Sequence, residues 1–311
     1  MSNSTSSTAG HVRPPVHFPP VVNGMDSLVK AAQALAPETY QNKIVLPTPG
    51  ALKDAVLHLQ VAAEVLLKAR LTLEHWTLVV EESKKTSYTK FQSGDFASCT
   101  PRETVRRLRD VVGIKIEIAD EQALDELTKS RNALLHYGLT DTAEAVEARA
   151  VNVLMFLFAF IKDELIPNLE GDDGGTIREM NAAVWEHIMD ITEFVNGRMA
   201  YLVDTDLKGL EARTIECPWC GQWALVLGDA RPECRFCGYD WDHTVSLVLD
   251  YTGVILRKFD ERPGDCFACG TRSLVAVARL ADDKKLRREV CLRCAEVRAQ
   301  PRTSTLDSDQ A

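Results

Sequence analysis

Two cysteine pairs in the stretch ECPWCGQWALVLGDARPECRFCGYD, residues 216–240, decide how the C-terminal part of the chain folds. Cys217 and Cys220 enclose two residues, as do Cys234 and Cys237. This gap lets both thiolates of a pair face one metal ion, and two such pairs on adjacent hairpins give tetrahedral coordination by four sulfurs. A glycine follows each pair, where a positive φ directs backbone amides at the sulfurs. The stretch therefore predicts one metal ion held by four cysteines.

The same spacing occurs twice more downstream, so eight of the nine cysteines lie in CxxC pairs. The downstream pairs are Cys266/Cys269 and Cys291/Cys294. Their order along the chain groups the eight cysteines into two sets of four, each suited to one zinc ion at Zn–S distances of about 2.3 Å. The first set closely resembles a zinc ribbon. The second set resembles it less well, because Ala295 rather than a glycine follows Cys294.

Sets of four sulfurs leave no open ligand position, so we interpret both zinc ions as structural. A thioredoxin-like redox role would use one CxxC pair at a strand-to-helix junction rather than four pairs in β-rich surroundings. A domain this small buries little apolar surface, and metal ligation would supply its folding energy. The sequence thus predicts one zinc ribbon over 213–245 and a second over 246–298 with a preceding hairpin. The ninth cysteine, Cys99, is predicted to be a half-buried free thiol.

Zinc ribbons bind RNA, DNA or protein, so the ribbons alone do not decide the ligand. The net charge of the chain is -9, which excludes binding through an overall positive charge and leaves only local clusters to hold nucleic acid. One small basic edge contains Lys284, Lys285, Arg287 and Arg288. Such a run is either a solvated hairpin face or a contact for nucleic-acid phosphates.

The composition is ordinary for a globular protein, with 45% hydrophobic and 26% charged residues. The first 20 residues lack the apolar core of a secretory leader. The most apolar run, VNVLMFLFAFI at 151–161, is far shorter than the roughly 18 residues that a bilayer span needs. We therefore expect a cytoplasmic protein without a membrane segment, in whose reducing surroundings paired cysteines bind metal.

Residues 25–205 carry the apolar spacing of amphipathic helices and predict an all-α helical bundle ahead of the β-rich zinc region. The longest pattern runs over 51–82, and a last long helix is expected over 176–203. The polar segments 1–24 and 299–311 are expected to be disordered tails.

One predicted helix, opened by a capping Asp120, ends in the unusual stretch SRNALLHYG, residues 130–138. Asn132 and His136 lie four positions apart and share a helix face, whereas Arg131 lies about 140° around the axis from His136. The final glycine supplies a left-handed helix stop. A helix that is otherwise rich in leucine thus places three polar side chains near its end.

These side chains suit metal-independent RNA cleavage. Histidine exchanges protons near neutral pH, and arginine binds phosphate and the charge that develops on it. In that reaction a base activates the ribose 2′-hydroxyl while a cation stabilises the pentacoordinate phosphorus. The alternative is structural: His136 would interact with the helix dipole, and Arg131 would pair with Asp125 or Asp141.

Arg-x4-His with an asparagine directly after the arginine, late in a helix of an all-α domain, resembles the motif of the HEPN superfamily. The stretch AAEVLLKARLTLEHW, 62–76, is similar to the long early helix of many bacterial members, and SGDF, 93–96, lies in the expected intervening loop. The resemblance covers roughly residues 50–200 and does not extend to the zinc region.

The resemblance implies a homodimer in which two copies of this motif line one composite cleft. By position, Arg131 and His136 would be catalytic and Asn132 would orient or bind the substrate. Glu64 and Arg70 on the early helix are weaker candidates, and each is equally explained as a surface or interhelical ion pair.

Three functions remain open from the sequence. The first is an endoribonuclease, a homodimer through its helical domain, whose zinc ribbons select or position the RNA or bind a protein partner. The second is a non-catalytic adaptor that dimerises through the helices and binds protein or nucleic acid through the ribbons. The third is a DNA-binding factor, which the acidic balance and the absence of a recognition-helix pattern disfavour.

Overall fold

The computed structural model describes residues 18–169, 173–228, 231–259 and 262–298. These residues fold into two compact units. The helical unit comprises described residues of 18–35 and 47–184, and the C-terminal unit comprises those of 36–46 and 185–298. Of the two predicted tails, 299–311 and the first 17 residues lie outside the described residues.

The chain before the zinc region is mainly helical, as the apolar spacing predicts. Its helices are α1 Pro20–Leu35, α2 Pro49–Glu74, α3 Tyr88–Ser93, α4 Pro101–Arg107, α5 Ile118–His136, α6 Ala143–Phe160, α7 Asp173–Ile188 and α8 Thr192–Asp204. Helix α2 is central to the helical unit and packs against α1, α4, α5 and α6. Leu59, Leu66 and Leu157 are fully buried in this core. Among the described residues, no helix combines the length and apolarity required to cross a bilayer.

Helix α1 begins at Pro20, inside the segment 1–24 that the sequence assigns to a tail. Proline suits the first turn of a helix because its missing N–H has no partner there anyway. Gly24 allows α1 to approach α2 closely, since a Cβ at this position would lie 2.6 Å from Cγ of Leu66. Pro20 therefore begins a helix that packs on the core.

Helix α5 carries the candidate catalytic residues in its last two turns. It begins after Glu117, so the prediction that Asp120 caps it is wrong, and Asp120 lies in the first turn instead. Its end is as predicted: Gly138 has φ 87°, and its N–H donates to the carbonyl of Ala133 at 2.7 Å. The left-handed glycine thus fixes where His136 leaves the helix.

The long helix predicted over 176–203 is two helices, α7 and α8. Between them, Asp190 donates its N–H to the carbonyl of His187 and Ile191 to that of Ile188. These bonds reach back three residues and close a tight turn. The apolar spacing continues across this break, which is why the sequence pattern does not reveal it.

The C-terminal unit holds three small antiparallel sheets and a short helix, α9 Thr244–Asp250. The sheets consist of β1 Glu38–Tyr40 with β2 Lys43–Val45; of β3 Thr214–Glu216, β4 Trp223–Val226 and β5 Glu233–Cys234; and of β6 Gly264–Asp265, β7 Arg272–Leu280, β8 Asp283–Cys291 and β9 Val297–Arg298. The predicted hairpin between the last two cysteine pairs is β7–β8, with Leu274 opposite Cys291 and Leu280 opposite Asp283.

The hairpin predicted to precede the second zinc ribbon does not form. Its apolar residues instead form α9 and a π-helical turn, Tyr251–Ile255. Leu247, Val248 and Tyr251 are buried on one face of this helix, at the three- and four-residue spacing of a helix. Burial of that face overrides the β-propensity of the individual residues.

Candidate functional site

The sulfurs of the first cysteine set surround a space of the size of a metal ion. Cys217 and Cys237 have their Sγ atoms 4.0 Å apart, and those of Cys220 and Cys234 are 3.7 Å apart. All four lie within 4.8 Å of one another. A zinc tetrahedron with Zn–S bonds of about 2.3 Å has S···S edges of about 3.8 Å. The set therefore fits one zinc ion.

The second set has the same geometry. The Sγ atoms of Cys266 and Cys294 are 3.7 Å apart, as are those of Cys269 and Cys291. The hydroxyl of Thr271 lies 2.9 Å from Sγ of Cys269, and this hydrogen bond is the main cause that lowers the pKa of the Cys269 thiol to about 6. The two clusters match the grouping that the spacing predicts, and both are compatible with zinc.

Four turns of one kind hold the sulfurs. After each CxxC pair a residue in the left-handed region donates its N–H to the carbonyl of the first cysteine, at 2.8 to 3.0 Å. These residues are Gly221 (φ 70°), Gly238 (φ 70°), Gly270 (φ 69°) and Ala295 (φ 60°). The expectation that the second set fits a zinc ribbon less well is therefore wrong, because Ala295 adopts the backbone geometry of the three glycines.

This geometry predicts opposite effects for two matched substitutions. Gly270→Ala adds a Cβ that meets no atom within 4 Å, so only the strain of the left-handed φ acts, and after the reduced entropy of the unfolded chain it lowers the free energy of unfolding by about 0.5 kcal/mol. Ala295→Gly relieves that strain and, after the added entropy of the unfolded chain, raises stability by about 0.5 kcal/mol. Urea unfolding of both zinc-loaded variants measures the difference. Equal losses in the two variants would contradict the assigned turn at residue 295.

Without a cation among them, thiols that lie this close together are harder to deprotonate one after another. Hydrogen bonding to Cys217 raises the pKa of the Cys220 thiol, and contacts with Cys217 and Cys220 raise that of Cys237. Each thiolate formed disfavours the next, since like charges lie within one cluster. A divalent cation removes this conflict and leaves the coordinating thiols deprotonated.

We call the part of the chain around the first cysteine set, 213–245, the first zinc module, and the part around the second set, 262–298, the second zinc module. Polar and aromatic contacts anchor the first module. Arg198 on α8 donates its Nε–H to the carbonyl of Phe236, at 2.7 Å. Trp241 donates to the carboxylate of Asp250 on α9, at 2.8 Å. Trp219, between the first two cysteines, is half exposed and stacks on Tyr239 with ring centroids 4.8 Å apart. The spacing of residues in the sequence does not predict which of these side chains contact one another.

The end of α5 presents all three predicted catalytic residues. His136 and Asn132 are exposed, and Arg131 is partly exposed and donates to Oδ1 of Asn132 at 2.9 Å. The carboxylates offered as structural partners for Arg131 are engaged elsewhere: Asp125 pairs with Arg102 at 2.6 Å and Asp141 pairs with Arg149 at 2.5 Å. The guanidinium is therefore not paired with either.

Apolar side chains flank these polar ones. Leu135 is 50% exposed and Tyr137 is 93% exposed, next to His136 on both sides in the chain. The ring of Tyr137 lies 6.1 Å from that of His136. Exposed apolar groups beside a polar site are typical of a surface that another molecule covers.

The weaker candidates lie in ordinary ion pairs. Glu64 pairs with Lys68 at 2.6 Å, one helical turn away on α2. Arg70 is buried and pairs with Glu74 at 2.7 Å and with Glu164 at 3.6 Å. These contacts support the structural explanation for both residues.

A cavity of about 630 Å³ between α2, α4 and α5 does not include the candidate trio. Its arginines are neutralised: Arg102 by Asp125, Arg106 by Glu103 and Arg109 by Glu121. The hydrogen bond from Arg106 is the largest cause that lowers the pKa of Glu103 to about 2. The candidate site is therefore a surface at the end of α5 and not this cavity.

A second concavity, in the C-terminal unit, brings together Arg272, Arg293 and His243. Sequence reasoning did not single out these residues, because they lie far apart in the chain and share no motif. Only the packing of the two zinc modules places them on one surface.

Comparisons with protein-family models, with curated proteins and with solved structures found no match to this chain.

Proposed function

We propose that this protein is a metal-independent endoribonuclease whose active site forms between two copies of the chain. The observation that carries the proposal is the trio at the end of α5, the exposed Asn132 and His136 with the partly exposed Arg131, while Asp125 and Asp141 pair with other arginines. The resemblance of this stretch to the HEPN motif supports the same function.

The reaction needs a proton acceptor, a proton donor and a cation. One His136 accepts the proton of the ribose 2′-hydroxyl, and the 2′-oxygen attacks the adjacent phosphorus. Arg131 stabilises the negative charge on the phosphoryl oxygens. The bond to the 5′-oxygen breaks, and the imidazolium of His136 returns the proton to that departing oxygen. The products are a 2′,3′-cyclic phosphate and a 5′-hydroxyl.

A dimer can bring an arginine and a histidine together on one phosphate more easily than a single chain can. Within a single helix, Arg131 and His136 project about 140° apart and do not converge on one phosphate. A two-fold axis beside α5 brings Arg131 of one protomer near His136 of its partner, and it does so twice in each dimer. The exposed Leu135 and Tyr137 provide apolar surface for that contact.

In this proposal the zinc ions are structural. Cys217, Cys220, Cys234 and Cys237 hold one ion, and Cys266, Cys269, Cys291 and Cys294 hold the other. Four thiolates close each coordination sphere, so water has no position on the metal. The zinc modules instead keep a surface in place for RNA or a protein partner.

A second candidate is a non-catalytic adaptor. The half-exposed Trp219, stacked on Tyr239 at the first zinc module, favours it, because such a ring offers a flat apolar face to a partner. In an adaptor the trio on α5 serves dimerisation alone, and its substitution leaves any associated RNA intact.

The decisive experiment incubates the zinc-loaded protein with purified total RNA in buffer without magnesium. We expect fragments that end in 2′,3′-cyclic phosphate, together with growth inhibition when the wild type is overexpressed. Both effects should disappear in His136→Ala. Intact RNA, or cleavage that His136→Ala leaves unchanged, would reject the nuclease and favour the adaptor.

A further inference from the structure

The concavity in the C-terminal unit has an unusual charge arrangement. Its volume is about 760 Å³, and Arg272, Arg293, His243 and Thr244 contribute to its wall. Its single carboxylate belongs to Asp242, which pairs with Arg231 at 2.8 Å. The wall therefore carries two guanidinium groups and one imidazole, with its carboxylate already bound to another cation.

The guanidinium groups keep donors available. Arg272 uses its Nε–H on the carbonyl of Pro263, at 3.3 Å, and this bond holds the side chain while its terminal nitrogens stay available. Within the described part of the chain, neither Arg272 nor Arg293 has an ion pair, and both are exposed. Guanidinium groups on one concave surface suit the recognition of phosphate, which they bind through paired N–H donors.

The charge of the second zinc module extends this site. Between residues 262 and 298 the chain has nine Lys or Arg and five Asp or Glu, an excess of four positive charges in a protein with a net charge of -9. A zinc ion with four thiolates carries a net charge of about −2, which offsets only part of this excess. The module therefore remains positive with its metal bound.

The concavity is too large for an isolated phosphate and has the volume of a pocket for a nucleotide-sized ligand. Beside the same module, Arg298 lies 4.1 Å from the ring centroid of the exposed Phe267, so aromatic surface accompanies the positive charge. This combination is characteristic of grooves that follow a single nucleic-acid strand.

The geometry points to this concavity as the RNA-binding site of the zinc region, in which Arg272, Arg293 and His243 contact successive backbone phosphates of single-stranded RNA. The inference rests on the proposed function for the identity of the ligand. It separates the two tasks: the zinc region holds the strand and the end of α5 cleaves it.

The test measures binding in a chain that does not cleave. A fluorescein-labelled single-stranded RNA is titrated with full-length His136→Ala protein and with the same protein carrying Arg272→Gln and Arg293→Gln. We expect the double variant to bind RNA about 30-fold more weakly. The slope of log K against log salt concentration should become less steep by about 1.4, because two phosphate contacts on a single strand are lost. Arg257→Gln is the control, since it removes one exposed positive charge from the same unit outside the concavity.

Three results would overturn the site. They are wild-type affinity in the double variant, an equal loss in Arg257→Gln, and loss of zinc from the double variant, which would show that the arginines balance the thiolates. Failure of the wild type to cleave RNA would reject the proposed nuclease, whereas loss of binding on substitution of Arg272 and Arg293 with zinc retained would still support the site.

Discussion

Replacing Cys234 with serine is expected to remove one of the two zinc ions and to unfold the sheet β3–β4–β5. In small zinc-dependent folds, metal binding contributes about 10–16 kcal/mol of apparent free energy. A core of this size supplies only about 3–5 kcal/mol, so the sheet does not persist without its metal. Metal analysis should find the zinc content per chain reduced from two to one, and limited proteolysis should cut near residues 214–241.

Cys99→Ser is the control for this experiment. Cys99, predicted to be half-buried, is fully buried in the helical unit, and its Sγ lies 3.2 Å from the hydroxyl of Thr104, a contact that serine retains. We expect this variant to keep both zinc ions and to lose about 1 kcal/mol of stability. Unchanged zinc content and intact proteolytic resistance in Cys234→Ser would contradict the first metal centre.

The second large effect is expected at the end of α5. His136→Ala should slow RNA cleavage by about 100- to 10,000-fold, because it removes the group that transfers protons. Arg131→Ala should slow it by about 100- to 1,000-fold through loss of charge stabilisation in the transition state. Single-turnover cleavage with enzyme in excess over a labelled RNA measures both rates.

His58→Ala is the matched control for a change of histidine. His58 lies on α2 in the same unit, and the proposed mechanism does not use it. Its variant should cleave at the wild-type rate. A similar loss of activity in His58→Ala, or wild-type cleavage by His136→Ala, would remove the catalytic role from the end of α5.

Features of the fold and the candidate site that depend on neighbouring residues can be predicted from the sequence. The two-residue gap within each CxxC pair is a local feature of the sequence. That gap and the order of the pairs along the chain are enough to group the eight cysteines into two sets. The helix stop at Gly138 is equally local, because only the φ of that residue is involved. The helix that carries Arg131, Asn132 and His136 also follows from the sequence pattern, whereas their exposure does not.

The remaining features depend on partners distant in the chain. Residues 244–255 have β-propensity, yet they form a helix because Tyr251 is buried by the surrounding C-terminal unit. Ala295 adopts φ 60° because Cys291 and Cys294, just before it, are held in one cluster, a constraint stronger than its own preference. The concavity of Arg272, Arg293 and His243 exists only once both zinc modules are folded.

The claim that one active site takes residues from two chains has the most direct test in mixed dimers. Arg131→Ala and His136→Ala proteins, each inactive alone, are unfolded, mixed in equal amounts and refolded with zinc. Every mixed dimer then contains one composite site with both an intact Arg131 and an intact His136. The account predicts that the mixture recovers about a quarter of wild-type cleavage, because half the dimers are mixed and each has one of two sites restored. No recovery, with mixed dimers detected by native mass spectrometry, would contradict it.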